Sequence, residues 1–150
     1  MAVLLQGGLS QIGTPREILN RPIDFATAQL VGMSNLIAAE LDAEGIAHVD
    51  AERRIPTNVS QAPGPIWIGL RPEHLKLDVG RGEGQVIGEG RVTHHASDGR
   101  LTTVSLDWGG ETLRTHLISG RGLGHEIRVG DQLQLSIRPE DAHVLPRNEP

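Results

Sequence analysis

The chain has 150 residues, 37% of them apolar, and a net charge of −5 from 14 basic and 19 acidic side chains; it contains no cysteine. Disulfides and thiolate metal sites are therefore excluded, and the acidic balance argues against a partner among nucleic acids or anionic membranes. No apolar run approaches the roughly 20 residues that a bilayer crossing requires.

One Phe, two Trp and no Tyr leave Val, Ile and Leu to fill the core, while 19 Gly and 9 Pro imply many turns, as in an all-β domain. Lys76 is the only lysine and stands between Leu75 and Leu77. A phosphate-cradling loop needs its lysine after a glycine-rich turn, so none is present.

In chain order, Val3 to Ser10 is apolar with a break at Gly7-Gly8, which predicts a hairpin whose second strand is Leu9 to Gly13. Thr14, Pro15 and Glu17 then form a helix start, with Thr14 as N-cap and the other two at N1 and N3. Arg21-Pro22 closes that helix. A second helix is predicted from about Asp24 to Val31, with Phe25, Leu30 and Val31 sharing a face with Ala26 and Ala28 and with Gly32 as its cap. Asn35 to Leu41 and Ile46 to Val49 flank the turn tetrapeptide Asp42-Ala43-Glu44-Gly45 and read as a β-hairpin. Asp50 to Gly64 is polar, contains Pro56 and Pro63, and reads as a loop.

Pro65 to Leu70 is the next strand. Gln85 to Ala96 is a long one, with Val86, Gly88, Gly90, Val92 and His94 on one face; paired glycines there predict a close backbone approach or a bend. Asp98-Gly99 is a strong hairpin signal. Thr102, Val104, Leu106 and Trp108 alternate cleanly, Gly109-Gly110 turns the chain, and Leu113, Thr115 and Leu117 alternate again. Leu133, Leu135 and Ile137 form the last inward face. Such a pattern predicts a mainly β fold, an OB-like antiparallel barrel or sheet, with a short helical N-terminal lead-in. The division expected is a lead-in over residues 1–34 and a β-domain over 35–150.

One phrase occurs twice. Ile68-Gly69-Leu70-Arg71-Pro72-Glu73-His74 is matched by Leu135-Ser136-Ile137-Arg138-Pro139-Glu140-Asp141. Proline lacks an N–H and stops a sheet ladder, so each copy places an arginine and a glutamate at the rim of a strand. The residues singled out are Arg71, Glu73, Arg138 and Glu140. Each Arg–Glu pair is expected to serve as a structural clamp or to face a partner subunit; catalysis would require a cleft and a nucleophile as well. Gly120-Arg121-Gly122-Leu123-Gly124 is a second candidate, since Arg121 with the backbone N–H groups of Gly122 and Gly124 could hold an anion, although a plain connecting loop has the same appearance. His94, His95, His116 and His125 lack ligand-like spacing and read as isolated surface histidines. With so few aromatics, no base-stacking platform is expected.

Gln11-Ile12-Gly13-Thr14-Pro15-Arg16-Glu17-Ile18-Leu19, followed by Arg21-Pro22, Phe25-Ala26 and Gly32 before Asn35-Leu36, resembles the end of the nucleotide-binding domain in ATPase subunits of bacterial ABC importers. The two Arg-Pro-Glu phrases, with Val129-Gly130-Asp131, resemble the ends of the TOBE domain, the OB-like regulatory module that follows the ATPase domain in maltose, polyamine, iron and sulfate importers. The resemblance implies a piece of such a subunit, residues 1–34 being the tail of its ATPase domain. The sequence has no Walker motifs and no Leu-Ser-Gly-Gly-Gln segment. It therefore implies a non-catalytic regulatory and dimerisation domain that binds no cofactor itself, ATP and Mg being bound by the full-length subunit. Implied partners are a second copy and the membrane-spanning permease subunits, and the implied location is cytoplasmic, peripheral on the inner face of the membrane. The alternative is an oxoanion-sensing domain. A related oxoanion-binding module carries a Ser-Ala-Arg-Asn type segment, where this chain has Met33-Ser34-Asn35.

Overall fold

A computed structural model describes residues 2–5, 8–77, 84–118 and 127–147. The chain begins with an antiparallel ribbon of β1 (Ala2–Leu5) and β2 (Gly8–Ile12). Helix α1 (Pro15–Asn20) starts as expected: the Thr14 hydroxyl accepts the Glu17 N–H at 3.1 Å, with Pro15 in the first turn. Helix α2 (Phe25–Leu30) is capped by Asp24, whose carboxylate accepts the Thr27 N–H at 2.8 Å. Its C-terminus closes by paired bonds from Met33 N–H to the Ala28 carbonyl and from Gly32 N–H to the Gln29 carbonyl, the pattern of a Schellman turn. The expected apolar face of α2 is wrong in part. Thr27 and Ala28 are the buried residues, whereas Leu30 is 61% exposed. Ala28 packs with Met33 and Leu145, and the Phe25 ring lies 4.6 Å from that of Trp67, so Phe25 and Ala28 meet the β-domain while Leu30 does not.

Two five-stranded sheets follow. One has the order β12 (His143–Pro146), β6 (Gly64–Leu70), β3 (Asn35–Leu41), β4 (Ile46–His48), β5 (Arg54–Pro56). The other has the order β10 (Glu111–Ile118), β9 (Leu101–Trp108), β8 (Gln85–Ser97), β11 (Gln132–Ile137), β7 (Lys76–Leu77). All pairings are antiparallel, and together the sheets make an OB-like half-barrel. Strand β5 lies where the sequence reads as a loop. It is only three residues long and ends in Pro56, yet Ile55 is fully buried, and a strand at the sheet edge tolerates proline.

The two halves of the repeated phrase exchange partners. Strand β6, which enters the first copy, pairs with β12, which leaves the second. Strand β11, which enters the second copy, pairs with β7, which leaves the first. Each copy thus contributes a strand to both sheets and fastens one to the other.

The core lies between the sheets. Val104, Leu106, Trp108, Leu113, Leu133, Leu135 and Ile137 from one face Ile37, Leu41, Ile55, Ile66, Ile68 and Leu70 from the other. Burying each large aliphatic chain contributes about 1.5–3 kcal/mol. The glycines of β8 lie where the alternation placed them. A Cβ on Gly88 (φ +131°) would lie 3.0 Å from Trp108 Nε1, and one on Gly90 3.1 Å from Leu106 Cβ. Register shifts near Leu135/Ser136 and at Val92/His94 alter the ends of that face. As a result Ile87 turns inward and Val86 is 57% exposed.

Side chains close the seams that strand pairing leaves open. Asn35, 1% exposed at the start of β3, donates from Nδ2 to the Arg114 carbonyl and accepts from the Arg114 N–H, both at 2.7 Å. It therefore fills the place of a neighbouring strand along the edge of β10. Thr115 donates its hydroxyl to the Leu75 carbonyl in the same region. On the other flank, Arg53 donates to the Trp108 carbonyl, lies 4.9 Å from the centre of its ring, and pairs with Asp50 at 2.8 Å.

Three turn aspartates organise the hairpins. Hydrogen bonding to His48, followed by the Ile46 and Glu44 N–H groups, holds Asp42 below the usual carboxylate range. Arg53 does the same for Asp50, and the Leu101 and Arg100 N–H groups do so for Asp98.

Candidate functional site

Each strand that enters a copy of the repeated phrase ends in an arginine followed by proline, and each proline opens one 3₁₀ turn, Pro72–His74 or Pro139–Asp141. The turns are closed alike. His74 N–H donates to the Arg71 carbonyl and Asp141 N–H to the Arg138 carbonyl, both at 2.9 Å. Because β6 and β12 are neighbours, the turns stand side by side. Between them opens a cleft of about 510 Å³, counting its mouth, lined by Met33, Arg71, His74, Glu140, Asp141 and His143.

The arginines are equivalent in the backbone and different in their partners. Arg71 is half-buried. Its guanidinium donates to the Val31 carbonyl at 3.2 Å and to the Leu19 carbonyl, not to Glu73. Those carbonyls lie in the last turns of α2 and α1, where helix geometry leaves them without intrahelical donors. Charge-assisted bonds of this kind contribute about 1.5–3 kcal/mol each. Arg71 is therefore a tie from the rim of β6 to both helices of the lead-in. Arg138 is 59% exposed and pairs with Asp141 at 3.2 Å and with Glu140 at 3.7 Å. Exposed pairs contribute about 0–1 kcal/mol, so this one shapes the rim more than it holds the fold. Glu73 stands exposed at its turn, where its carbonyl accepts from Lys76.

The cleft brings Arg71 and Glu140 together and leaves Glu73 and Arg138 outside its lining. It adds residues that the sequence reading passed over. His74 and Asp141 occupy the same position of the two copies, and their side chains face each other at 3.8 Å. His143 Nε2–H donates to the Pro22 carbonyl at 3.0 Å, a second tie to the lead-in. The signal for His74 and Asp141 was the repeat itself, whose last position they occupy.

The glycine-rich candidate, with Arg121, Gly122 and Gly124, lies outside the described residues, as does His125. His94 and His95 are exposed on β8 and His116 is half-buried on β10. Among the described residues no group of three or more His, Cys, Asp or Glu is arranged to hold a metal ion, and no helix is long and apolar enough to cross a membrane.

Comparison with known proteins agrees with this architecture. Residues 68–145, from within β6 to within β12, match the TOBE domain family model. The chain is 33% identical over 146 residues to an Fe(3+) ions import ATP-binding protein of Pseudomonas fluorescens, covering 97% of this chain and 40% of that protein. It is 28% identical over 164 residues to a spermidine/putrescine import ATP-binding protein of Frankia alni, covering 97% and 35%. A glucose import ATP-binding protein of Saccharolobus solfataricus is 29% identical over 154 residues, covering 99% and 40%. The chain thus spans about two fifths of the length of these relatives. Among solved structures, the cytoplasmic molybdate-binding protein ModG superposes with a TM-score of 0.64 at 13% identity, over 75% of this chain and 96% of that one. The likeness to ModG is one of fold. Ending each strand at Arg-Pro-Glu and interleaving the two copies is how this sequence builds that fold, and the chain belongs to the TOBE domain family of importer ATP-binding subunits.

Proposed function

We propose that this chain is the non-catalytic regulatory module of an importer ATP-binding subunit, with residues 1–34 forming the tail of its ATPase domain and residues 35–150 the module proper. The observation that carries this reading is the tie from Arg71 to the Leu19 and Val31 carbonyls, which couples the lead-in to the rim of the cleft. A surface contrast supports the division. Of the seven large apolar side chains exposed among the described residues, Leu4, Ile12, Leu19, Ile23 and Leu30 lie in the lead-in, and only Val86 and Val129 lie beyond it. An apolar face of that kind suits packing against the rest of a larger domain. On this reading ATP and Mg bind elsewhere in the subunit, two copies meet through the module, and the assembly works with permease subunits at the cytoplasmic face of the membrane. Arg71, Glu73, Arg138 and Glu140 serve to fasten and shape the rim.

The test compares three proteins for phosphate release with ATP and Mg. The isolated chain releases none. A full-length subunit hydrolyses ATP, and its Arg71→Ala variant hydrolyses at a rate that no longer responds to the module's partners or ligands. Turnover by the isolated chain, or an unaltered response in the variant, overturns the proposal. Sedimentation of the full-length subunit tests the dimer. The competing reading is an oxoanion sensor that uses Arg121, Gly122 and Gly124. Heat on titration with molybdate or sulfate would favour it.

A further inference from the structure

We infer that the cleft between the two 3₁₀ turns is a binding site for a small zwitterion, a molecule carrying a carboxylate and an ammonium a few bonds apart. The inference deepens the regulatory reading by naming a ligand class for the same site, and it rests on that reading only for its consequence, not for the binding itself.

The argument starts from the asymmetry of the repeat. The first copy brings Arg71 and His74 to one wall, and the second brings Glu140 and Asp141 to the other. The two walls therefore carry opposite charge. The lead-in supplies Met33, 3% exposed, as an apolar element, and His143 completes the lining. Without its open mouth the cleft holds about 200 Å³, less than a drug-sized site and enough for a molecule of a few heavy atoms, and it joins a few convergent polar groups to apolar surface.

The groups retain capacity for a ligand. A guanidinium has five N–H donors, and the carbonyls of Leu19 and Val31 take two from Arg71. The remaining donors suit a carboxylate. Glu140 is 55% exposed and its contact with Arg138 is long, at 3.7 Å, so an ammonium can approach it. Asp141 is 14% exposed and already shared between His74 and Arg138, which makes it a fixed negative edge.

Discrimination follows from the same arrangement. A free oxoanion would be drawn to Arg71 but would face Glu140 and Asp141 across the cleft. A plain amine would be drawn to those carboxylates but would face Arg71. Only a ligand with both charges satisfies both walls, and the repulsive element against each half-ligand supplies the selectivity. Occupancy would bridge the two turns and bear on Arg71, the residue that holds both helices of the lead-in.

Calorimetry on this chain tests the binding, with glycine, L-alanine and glycine betaine as zwitterions. Acetate, methylammonium and molybdate serve as single-charge controls. At least one zwitterion should bind with Kd of about 1 mM or tighter, and the controls should bind at least about tenfold more weakly. Glu140→Gln, at an exposed position, should weaken zwitterion binding about tenfold with an unchanged melting temperature. His74→Gln gives an independent reading on the opposite wall and should also weaken binding. Absence of binding by all three zwitterions at about 10 mM, equal binding of a control, or unaltered affinity in Glu140→Gln overturns the site. Binding to the chain with no effect on ATP hydrolysis by the full-length subunit would uphold the site and overturn the regulatory reading.

Discussion

Replacing Asn35 by alanine removes a side chain that takes the place of a strand beside β10. Asn35 is 1% exposed, and both of its bonds to the Arg114 backbone are 2.7 Å long. The substitution orphans one N–H and one carbonyl, each costing about 1–3 kcal/mol when left without a partner. Water can reach an edge strand more readily than a central one, which favours the lower half of the range. The expected loss is about 2–4 kcal/mol, or roughly 6–12 °C in melting temperature for a chain of this size. Urea unfolding should show a lower midpoint with an unchanged slope, because the same surface is exposed on unfolding. Asn35→Asp separates the two bonds. Its carboxylate still accepts from the Arg114 N–H but opposes the Arg114 carbonyl, and only the protonated acid can donate there. That variant should therefore be closer to wild type at pH 4 than at pH 7. A loss under about 1 kcal/mol for Asn35→Ala, or an aspartate variant indifferent to pH, would refute the view that Asn35 stands in for a strand.

Arg71→Ala should loosen the lead-in before the β-domain, raising hydrogen exchange across residues 15–31 while the exchange of β8 and β9 is unchanged. Arg138→Ala, which removes an exposed pair, should shift stability by less than about 1 kcal/mol in the same denaturation assay. Gly88→Ala must place a Cβ at φ +131° and 3.0 Å from Trp108 Nε1. It should cost about 1–3 kcal/mol and alter tryptophan fluorescence. Asp42, Asp50 and Asp98 are all held below the usual carboxylate range in the folded chain. A lowered folded value contributes stability above the unfolded value, near pH 4, that is lost as pH falls through the folded one. Acid unfolding should accordingly steepen below about pH 4, and Asp98→Asn should flatten that limb.

The legible parts of the sequence were those where local chemistry and tertiary structure agree. Thr14-Pro15, Asp98-Gly99 and Gly109-Gly110 punctuate the chain by backbone preference alone, and Thr102 to Trp108 alternates because one face meets the core. Strand β5 was not legible. Three residues carry too little period, and Ile55 is held by the sheet it joins. The face of α2 was misread in part: Phe25 and Ala28 meet the sheet as expected, but the close approach of helix to sheet buries Thr27, which a hydrophobic pattern does not mark, and leaves Leu30 exposed. The Arg-Pro-Glu repeat identified the rims correctly, yet it could not show that Arg71 leaves its neighbouring glutamate for two carbonyls on the lead-in. Those carbonyls belong to residues 40 and 52 positions away in the chain. His74 and Asp141 closed the two copies of the phrase, but attention to its Arg-Pro-Glu centre left them aside.

The interleaving of the two copies also orders events in time. On the ribosome, β6 is complete long before β12 exists, and its outer edge has no partner until residues 143–146 have been made. Strand β7 waits likewise for β11. The hairpin of β8 and β9 is local and can form early, but one sheet reaches its full width only with β11 and the other only with β12. Pairings across such separations are slow to form, and an open β edge invites contact with other chains while it waits. The same crossing that locks the finished domain leaves the nascent one dependent on shielding until nearly its last strand.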